Sequence, residues 1–279
     1  MKIKDLIAYG TKRLEESSIE SAKIDAKLLL CKFLNKDKIF LITNKYDVIE
    51  DYSGYDALLA RREKHEPMQY IIGKAEFMGL EFEVNKNVLI PRPDTETLAE
   101  KAIEFVGDKK AKIIDIGTGS GCLAVSILRF CENAEAYSVD ISADAIGVAR
   151  KNAERNGVLN RLKFINADVF SDFPSFKVDG IVSNPPYIED GDFTSLMTDV
   201  RDYEPKIALL GGKDGLDFYR LICKRGFKIL NEGGFIAFEV GYNQAKEVKQ
   251  ILVENQFENI GFSMDLAGIN RVVYAFKNK

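Results

Sequence analysis

Apolar positions follow two rhythms along the chain. Up to about residue 66 they recur at helical spacing: Ile3, Leu6, Ile7 and Leu14, then Ile24, Leu28, Leu29 and Leu34, with Ser18 or Ser21 as the expected cap between the groups. Leu58 and Leu59 follow in a charged stretch that ends near Pro67. These predict a small helical domain over 1–70. Residues 69–90 change character: Phe77, Phe82 and Val84 lie among Gly73, Gly79 and Asn85, which predicts a β-hairpin linker over 71–90. Pro91 and Pro93 predict an extended segment. Asp94 or Thr95 is expected to cap a helix through Leu98 and Ile103.

From residue 111 short apolar runs alternate with amphipathic ones. KIIDIG, EAYSVDI, RLKFINAD, KVDGIVSN and FIAFEV read as strands, the last after a turn at Gly233-Gly234, and two more follow near 257–264 and 271–277. Helices intervene, one of them capped by Ser142 and closed by Gly157. Alternation of this kind predicts an α/β domain over 91–279, a doubly wound, mostly parallel sheet of seven strands. Such sheets bind ligands beyond the carboxyl ends of their strands.

Composition narrows the function. With 46% apolar and 29% charged residues, the 279-residue chain has a globular balance. No apolar run reaches the roughly 18–20 residues of a membrane span. The charged start MKIKDLIAYGTKR lacks the apolar segment of an export signal, so a cytoplasmic location is expected. The net charge is −4, and residues 1–70 carry 13 Lys/Arg against 12 Asp/Glu, which argues against non-specific grip on nucleic acid. Four cysteines without a Cys-x-x-Cys pair, and a single histidine, His65, make a zinc site unexpected; the thiols are expected to be reduced.

The chemistry-bearing residues fall at predicted strand ends. Asp115-Ile-Gly117-Thr118-Gly119-Ser120-Gly121 follows the first strand of the alternating region. Its glycines let a backbone approach a ligand closely. Cys122 stands where a dinucleotide fingerprint has Gly or Ala, and the Asp115 carboxylate suits a cationic ligand better than a pyrophosphate. S-adenosylmethionine, with its ammonium and sulfonium, is such a ligand. Asp140 closes the second strand, 21 residues past Gly119, the distance expected of an acid that holds ribose hydroxyls. Asp168 follows the third; its carboxylate suits an adenine amine, with the Val169 backbone lining the ring. Asn184-Pro185-Pro186-Tyr187 follows the fourth. The Asn184 side-chain oxygen and the Pro185 carbonyl each suit one N–H of a planar NH₂ group, and Tyr187 suits packing against that plane. Asn184 to Tyr187 are thus the expected substrate-binding residues, with Asn184, Pro185 and Tyr187 catalytic and Asn184 also expected to touch the cofactor, beside Asp115, Gly117 to Gly121, Asp140, Asp168 and Val169.

By these residues the chain resembles the class I S-adenosylmethionine-dependent methyltransferases that act on amino groups. It is more closely similar to the HemK/PrmC type of release factor glutamine methyltransferase. QYIIG, AEFMGLEF and VLIPRPDTE resemble that family's linker; DIGTGSG, VDIS, SNPPYI, YEPKIALLGGKDGL and VGYNQ resemble its catalytic domain. Tyr203 stands where the family often has Phe, and Val169 where some members have Trp. The resemblance implies methylation of the side-chain amide (N5) of the glutamine in the Gly-Gly-Gln motif of bacterial peptide chain release factors, modulating translation termination. It implies a helical N-terminal domain that helps hold that protein substrate. A monomer without nucleic-acid or membrane partners is expected. Two other readings stay open on the residues: a nucleic-acid amine methyltransferase, which requires a basic groove, and an NAD-dependent or non-catalytic cofactor-binding protein, which a cofactor titration separates.

Overall fold

The computed structural model describes residues 1–278. The chain forms two compact units, one of residues 1–73 with 197–203, the other of 74–196 with 204 onward.

The smaller unit is helical: α1 (Ile3–Glu16), α2 (Ala22–Leu34), α3 (Lys38–Thr43), α4 (Ser53–Arg62) and α5 (Met68–Ile72). Its core is Ile3, Leu6 and Leu14 from α1, Leu29 and Leu30 from α2, and Tyr55 and Leu59 from α4. Gly10 lets Tyr55 cross α1, since a Cβ there would overlap the phenol; the Tyr55 hydroxyl donates to the Ala26 carbonyl at 3.0 Å. The expected serine cap of α2 does not form. Ser18 lies before the helix at φ +59, and Ser21, at the cap position, donates to Asp25 Oδ2 at 2.8 Å. The carboxylate, also bound by Arg62 at 2.8 Å and nearly buried, is the stronger acceptor for the hydroxyl proton. The short helices α3 and α5 carry too few residues for a periodic signal.

The larger unit opens with the hairpin β1 (Lys74–Phe77) and β2 (Leu80–Glu83). Met78 and Gly79, both at positive φ, form its two-residue turn. Phe77 and Phe82 are buried in this unit's own core. Helix α6 (Pro93–Val106) follows. Neither Asp94 nor Thr95 caps it: Pro93 occupies the first helical position, where its fixed φ suits the helix, and Arg92 holds the cap position.

The sheet contains β3 (Lys112–Ile116), β4 (Glu135–Asp140), β5 (Leu162–Asn166), β6 (Val178–Ser183), β7 (Leu230–Glu239), β8 (Phe257–Met264) and β9 (Asn270–Lys277), in the order β5-β4-β3-β6-β7-β9-β8. All neighbours are parallel except those of β9. Helices α7 (Cys122–Phe130), α8 (Ala143–Arg155), α9 (Thr198–Tyr203, in the smaller unit), α10 (Asp217–Ile229) and α11 (Ala245–Glu254) complete the chain. Adjacent strand residues feed opposite faces: Ile113, Val182 and Ala237 join α6 and α7 in one core, while Ile114, Ile181 and Ile236 join α10 and α11 in the other. Gly233-Gly234 is not a turn before the strand. β7 begins at Leu230 and bulges there, Val178 and Gly180 pairing with Leu230 and Phe235, with Gly233 at φ +74. The chain switches sides between β3 and β6, and the carboxyl ends of these two strands, with β4 and β5, line the candidate site.

Candidate active site

The loop after β3 is a tight arch. Gly117 and Thr118 donate their N–H groups to the Val139 carbonyl at 2.9 and 3.1 Å, and Gly117, Gly119 and Gly121 all have positive φ. A Cβ on Gly121 would lie 3.0 Å from that of Ala149, so this glycine serves helix packing. Gly117 and Gly119 have open space where a Cβ would be, so their backbone is bare toward the cavity.

Asp115 is fully buried and lines neither of the two cavities at this strand edge. It accepts from the Thr118 hydroxyl at 2.6 Å, beside Ser138. Burial pushes its carboxyl up to about 7 against the pull of that hydrogen bond. Asp140 stands at the cavity wall, with Oδ2 accepting from Gly119 N and Oδ1 from Ser142 N, both at 2.9 Å. It joins the glycine loop to the start of α8, where Ser142 accepts from Ala145 N. Its carboxyl is raised by burial, against those backbone hydrogen bonds.

A cavity of about 260 Å³ brings together Gly117, Gly119, Asp140, Asp168, Val169, Asn184, Pro185 and Pro186. Its walls add Ile141, Phe170 and Phe218, apolar residues that carried no motif signal. Phe170 and Phe218 meet edge to face at 5.0 Å. Asp168 folds over its own loop, accepting from Phe170 N at 2.9 Å. A smaller neighbouring cavity is lined by Thr118 and Ser120 with Thr95 and Asn184. Gly121 and Tyr187 line neither.

Asn184 leaves the end of β6 and donates its Nδ2 to Thr95 Oγ1 at 3.2 Å. Thr95 in turn donates to Glu239 Oε2, at the end of β7, at 2.5 Å. Both Thr95 and Glu239 are buried, and burial raises the Glu239 carboxyl to about 7. Neither was singled out as a site residue in the sequence, although Thr95 lies in the family-like segment PRPDTE and Glu239 immediately precedes VGYNQ. In the first of these, Arg92 pairs with Glu204 at 2.6 Å, Asp94 with Arg271 at 3.2 Å, and Glu96 accepts from Met78 N in the hairpin turn at 2.5 Å.

Two further supports were not singled out in the sequence, although the second, Gln244, closes VGYNQ. Buried Asn152 of α8 donates to the carbonyls of Glu83 and Ser120, both at 2.9 Å, tying the hairpin to the glycine loop. Gln244 donates to the Tyr187 carbonyl at 3.0 Å. The loop LLGGKDG backs the same segment, with Ile188 N donating to Leu209 O and Gly211 N to Ile188 O, both at 2.9 Å. A Cβ on Gly211 would lie 2.6 Å from the Pro186 carbonyl oxygen, and one on Gly215 would overlap that of Tyr187. The geometry is that of a carboxylate-walled, largely apolar cleft with an amide side chain fixed at its edge.

Residues 5–73 match the family described as PrmC N-terminal domain, and residues 95–200 the one described as Methyltransferase small domain. The release factor glutamine methyltransferase of Clostridium acetobutylicum is 43% identical, covering 99% of both chains. That of Clostridium botulinum is 42% identical, covering 99% of this chain and 100% of its own. A methyltransferase from Pyrococcus furiosus superimposes with a TM-score of 0.54 at 17% identity, covering 82% of this chain and all of that one, a likeness of fold. On full-length identity of this degree, the chain belongs to the release factor glutamine methyltransferase family.

Proposed function

We propose that the protein transfers a methyl group from S-adenosylmethionine to the side-chain amide nitrogen of the glutamine in the Gly-Gly-Gln motif of bacterial peptide chain release factors. Translation termination is the process it would modulate. The observation that carries the reading is Asn184: its NH₂ is spent on Thr95, which leaves Oδ1 as the acceptor at the edge of the cleft.

The residues fit the cofactor. Asp140, at the cavity wall and held by backbone donors on both oxygens, suits the two hydroxyls of a ribose diol. Donation from two hydroxyls would favour the ionised form that burial disfavours. Asp168, Val169 and the apolar walls at Ile141 and Phe170 suit an adenine ring. Gly117 and Gly119 would lie against the methionine part, with Thr118 and Ser120 shaping the loop. Asp115, buried behind the loop, would hold Thr118 in place without touching the ligand, and Gly121 would hold the loop to α8.

When bound, the cofactor supplies a methyl group activated by a sulfonium. An amide nitrogen has a delocalised lone pair and is a poor nucleophile. Asn184 Oδ1 and the Pro185 carbonyl would each accept one N–H of the glutamine, aim the nitrogen, and stabilise the positive charge it gains. Pro186 and the half-buried Tyr187 would wall the planar amide. No histidine is assigned a role in this reading. We assign to that unit, over residues 1–70, the docking of the release factor. The test is transfer of tritiated methyl to purified release factor. A Gln→Ala change in its Gly-Gly-Gln motif should abolish labelling; equal labelling of that control would overturn the reading.

A further inference from the structure

Glu239 and Thr95 are buried polar residues with no part in the chemistry above, yet they are hydrogen-bonded in line to the one side chain that the chemistry turns on. We infer that Glu239, acting through Thr95, is a positioning residue that sets which end of the Asn184 amide faces the substrate. The inference rests on the reading of Asn184 as the acceptor for the glutamine N–H.

The argument is one of hydrogen-bond direction. A threonine hydroxyl has a single proton. An ionised carboxylate only accepts, so Thr95 spends its proton on Glu239 Oε2 and offers Asn184 nothing but lone pairs. Asn184 must then present its NH₂ to Thr95, and its carbonyl oxygen is the end turned away. Protonation of Glu239 reverses the logic. The carboxylic acid becomes a donor to Thr95, the Thr95 proton is released toward Asn184, and the amide is free to flip its NH₂ toward the cleft. A glutamine NH₂ then meets a donor instead of an acceptor.

The surroundings place that switch near neutrality. Burial pushes the Glu239 carboxyl up to about 7, and Asp94 at the start of α6 adds to the rise. The Thr95 hydrogen bond, Arg271 of β9 and Arg92 oppose it. Tyr187 beyond β6, Tyr219 of α10 and Cys122 of α7 also face the group, and burial holds all three neutral at this pH. The Tyr219 hydroxyl donates to the Glu239 backbone carbonyl at 2.9 Å and fixes the strand end. Glu239 is ionised above about pH 7, so the acceptor orientation is present there and is lost as pH falls.

Single-turnover methyl transfer by the full-length protein, measured from pH 6 to 9, tests the inference on Thr95→Val, Thr95→Ser and Glu239→Gln. Thr95→Val should lower the rate by about 10–100-fold, the scale of a misplaced reacting group, with cofactor Kd and release-factor KM within about twofold. Thr95→Ser, which restores the hydroxyl, should recover most of the rate. The wild type should lose rate as pH falls through about 7. Glu239→Gln accepts from Thr95 through its amide oxygen but does not titrate, so it should lack that limb. An independent readout is hydrogen exchange at the Asn184 side-chain NH₂, assigned by its loss in Asn184→Ala: it should be protected in the wild type and exposed in Thr95→Val. This readout needs no methyl acceptor, so an inactive wild type would sink the proposed function while the exchange data still judge the positioning. The inference is overturned by a Thr95→Val rate within twofold of wild type, by an acid limb that persists in Glu239→Gln, or by equal amide exchange. Thermal melts establish folding, and if Thr95→Val does not fold, the Glu239→Gln profile decides.

Discussion

Asn184 is where the proposed chemistry concentrates. Interactions stronger in the transition state than in the ground state raise kcat, so Asn184→Ala should cut kcat by roughly 100–1,000-fold, as loss of a comparable preorganised polar group does. Cofactor Kd, measured by calorimetry, should change far less; near-wild-type kcat would reduce Asn184 to a turn residue. Asp140→Ala should weaken cofactor binding by about 1.5–3 kcal/mol. It also removes the acceptor for Gly119 N and Ser142 N, so Asp140→Asn, which keeps an acceptor, should bind more tightly than the alanine variant. Asp115 yields a pH prediction. Its folded-state carboxyl, raised to about 7, lies above its ordinary value. The proton is held more tightly by the folded protein, a contribution fully present below the unfolded value and lost as pH rises through about 7. The Tm of the wild type relative to Asp115→Asn should therefore decline between pH 4 and 8. A difference independent of pH would mean that Asp115 does not titrate in that range.

Among the elements, the glycine loop separates two kinds of constraint that look alike as letters. Gly119 and Gly121 share positive φ, which costs a side chain roughly 1–2 kcal/mol. Only Gly121 also presses on helix α8, at Ala149. Gly121→Ala should thus lower Tm more than Gly119→Ala, while Gly119→Ala, facing open space, should chiefly impair cofactor binding. Calorimetry and thermal melts on the pair would contradict the assignment if the order of the two effects reversed. The same reasoning explains Gly211 and Gly215 of LLGGKDG, which admit the Pro186 and Tyr187 carbonyls where a Cβ would strike them.

Over the whole molecule, each unit has a core of its own. Met197–Tyr203 belongs to the helical unit although far from it in sequence, and the Tyr203 hydroxyl donates to the Lys64 carbonyl at 2.6 Å. A chain starting at Lys74 should keep cofactor affinity, because every residue lining the main cavity lies in the larger unit. It should lose methyl transfer to intact release factor. That loss would reflect both the missing helices and a Met197–Tyr203 segment stripped of its partner; unchanged kcat/KM would refute the docking role. Among the described residues no helix is long and apolar enough to cross a membrane.

The strands and most of the longer helices were legible in the sequence because their periodicities, 2.0 and 3.6, are local. Ser142 as a cap and Gly157 as a stop were legible for the same reason: cap and stop involve residues a few positions apart. Gly117, Asp140, Asp168 and Asn184 could be paired with strand ends, since in a doubly wound sheet order along the chain sets position along one edge. What joins them could not be read that way. Thr95 is 144 residues from Glu239 and 89 from Asn184, and a hydrogen bond between side chains so far apart leaves no pattern in either neighbourhood. Ser21 preferred a buried carboxylate to a helix end, and Asp115 turned inward to Thr118 instead of facing the cleft. In each case a polar side chain had more than one possible partner, and only packing, by excluding water, decided which of them was near enough to satisfy it.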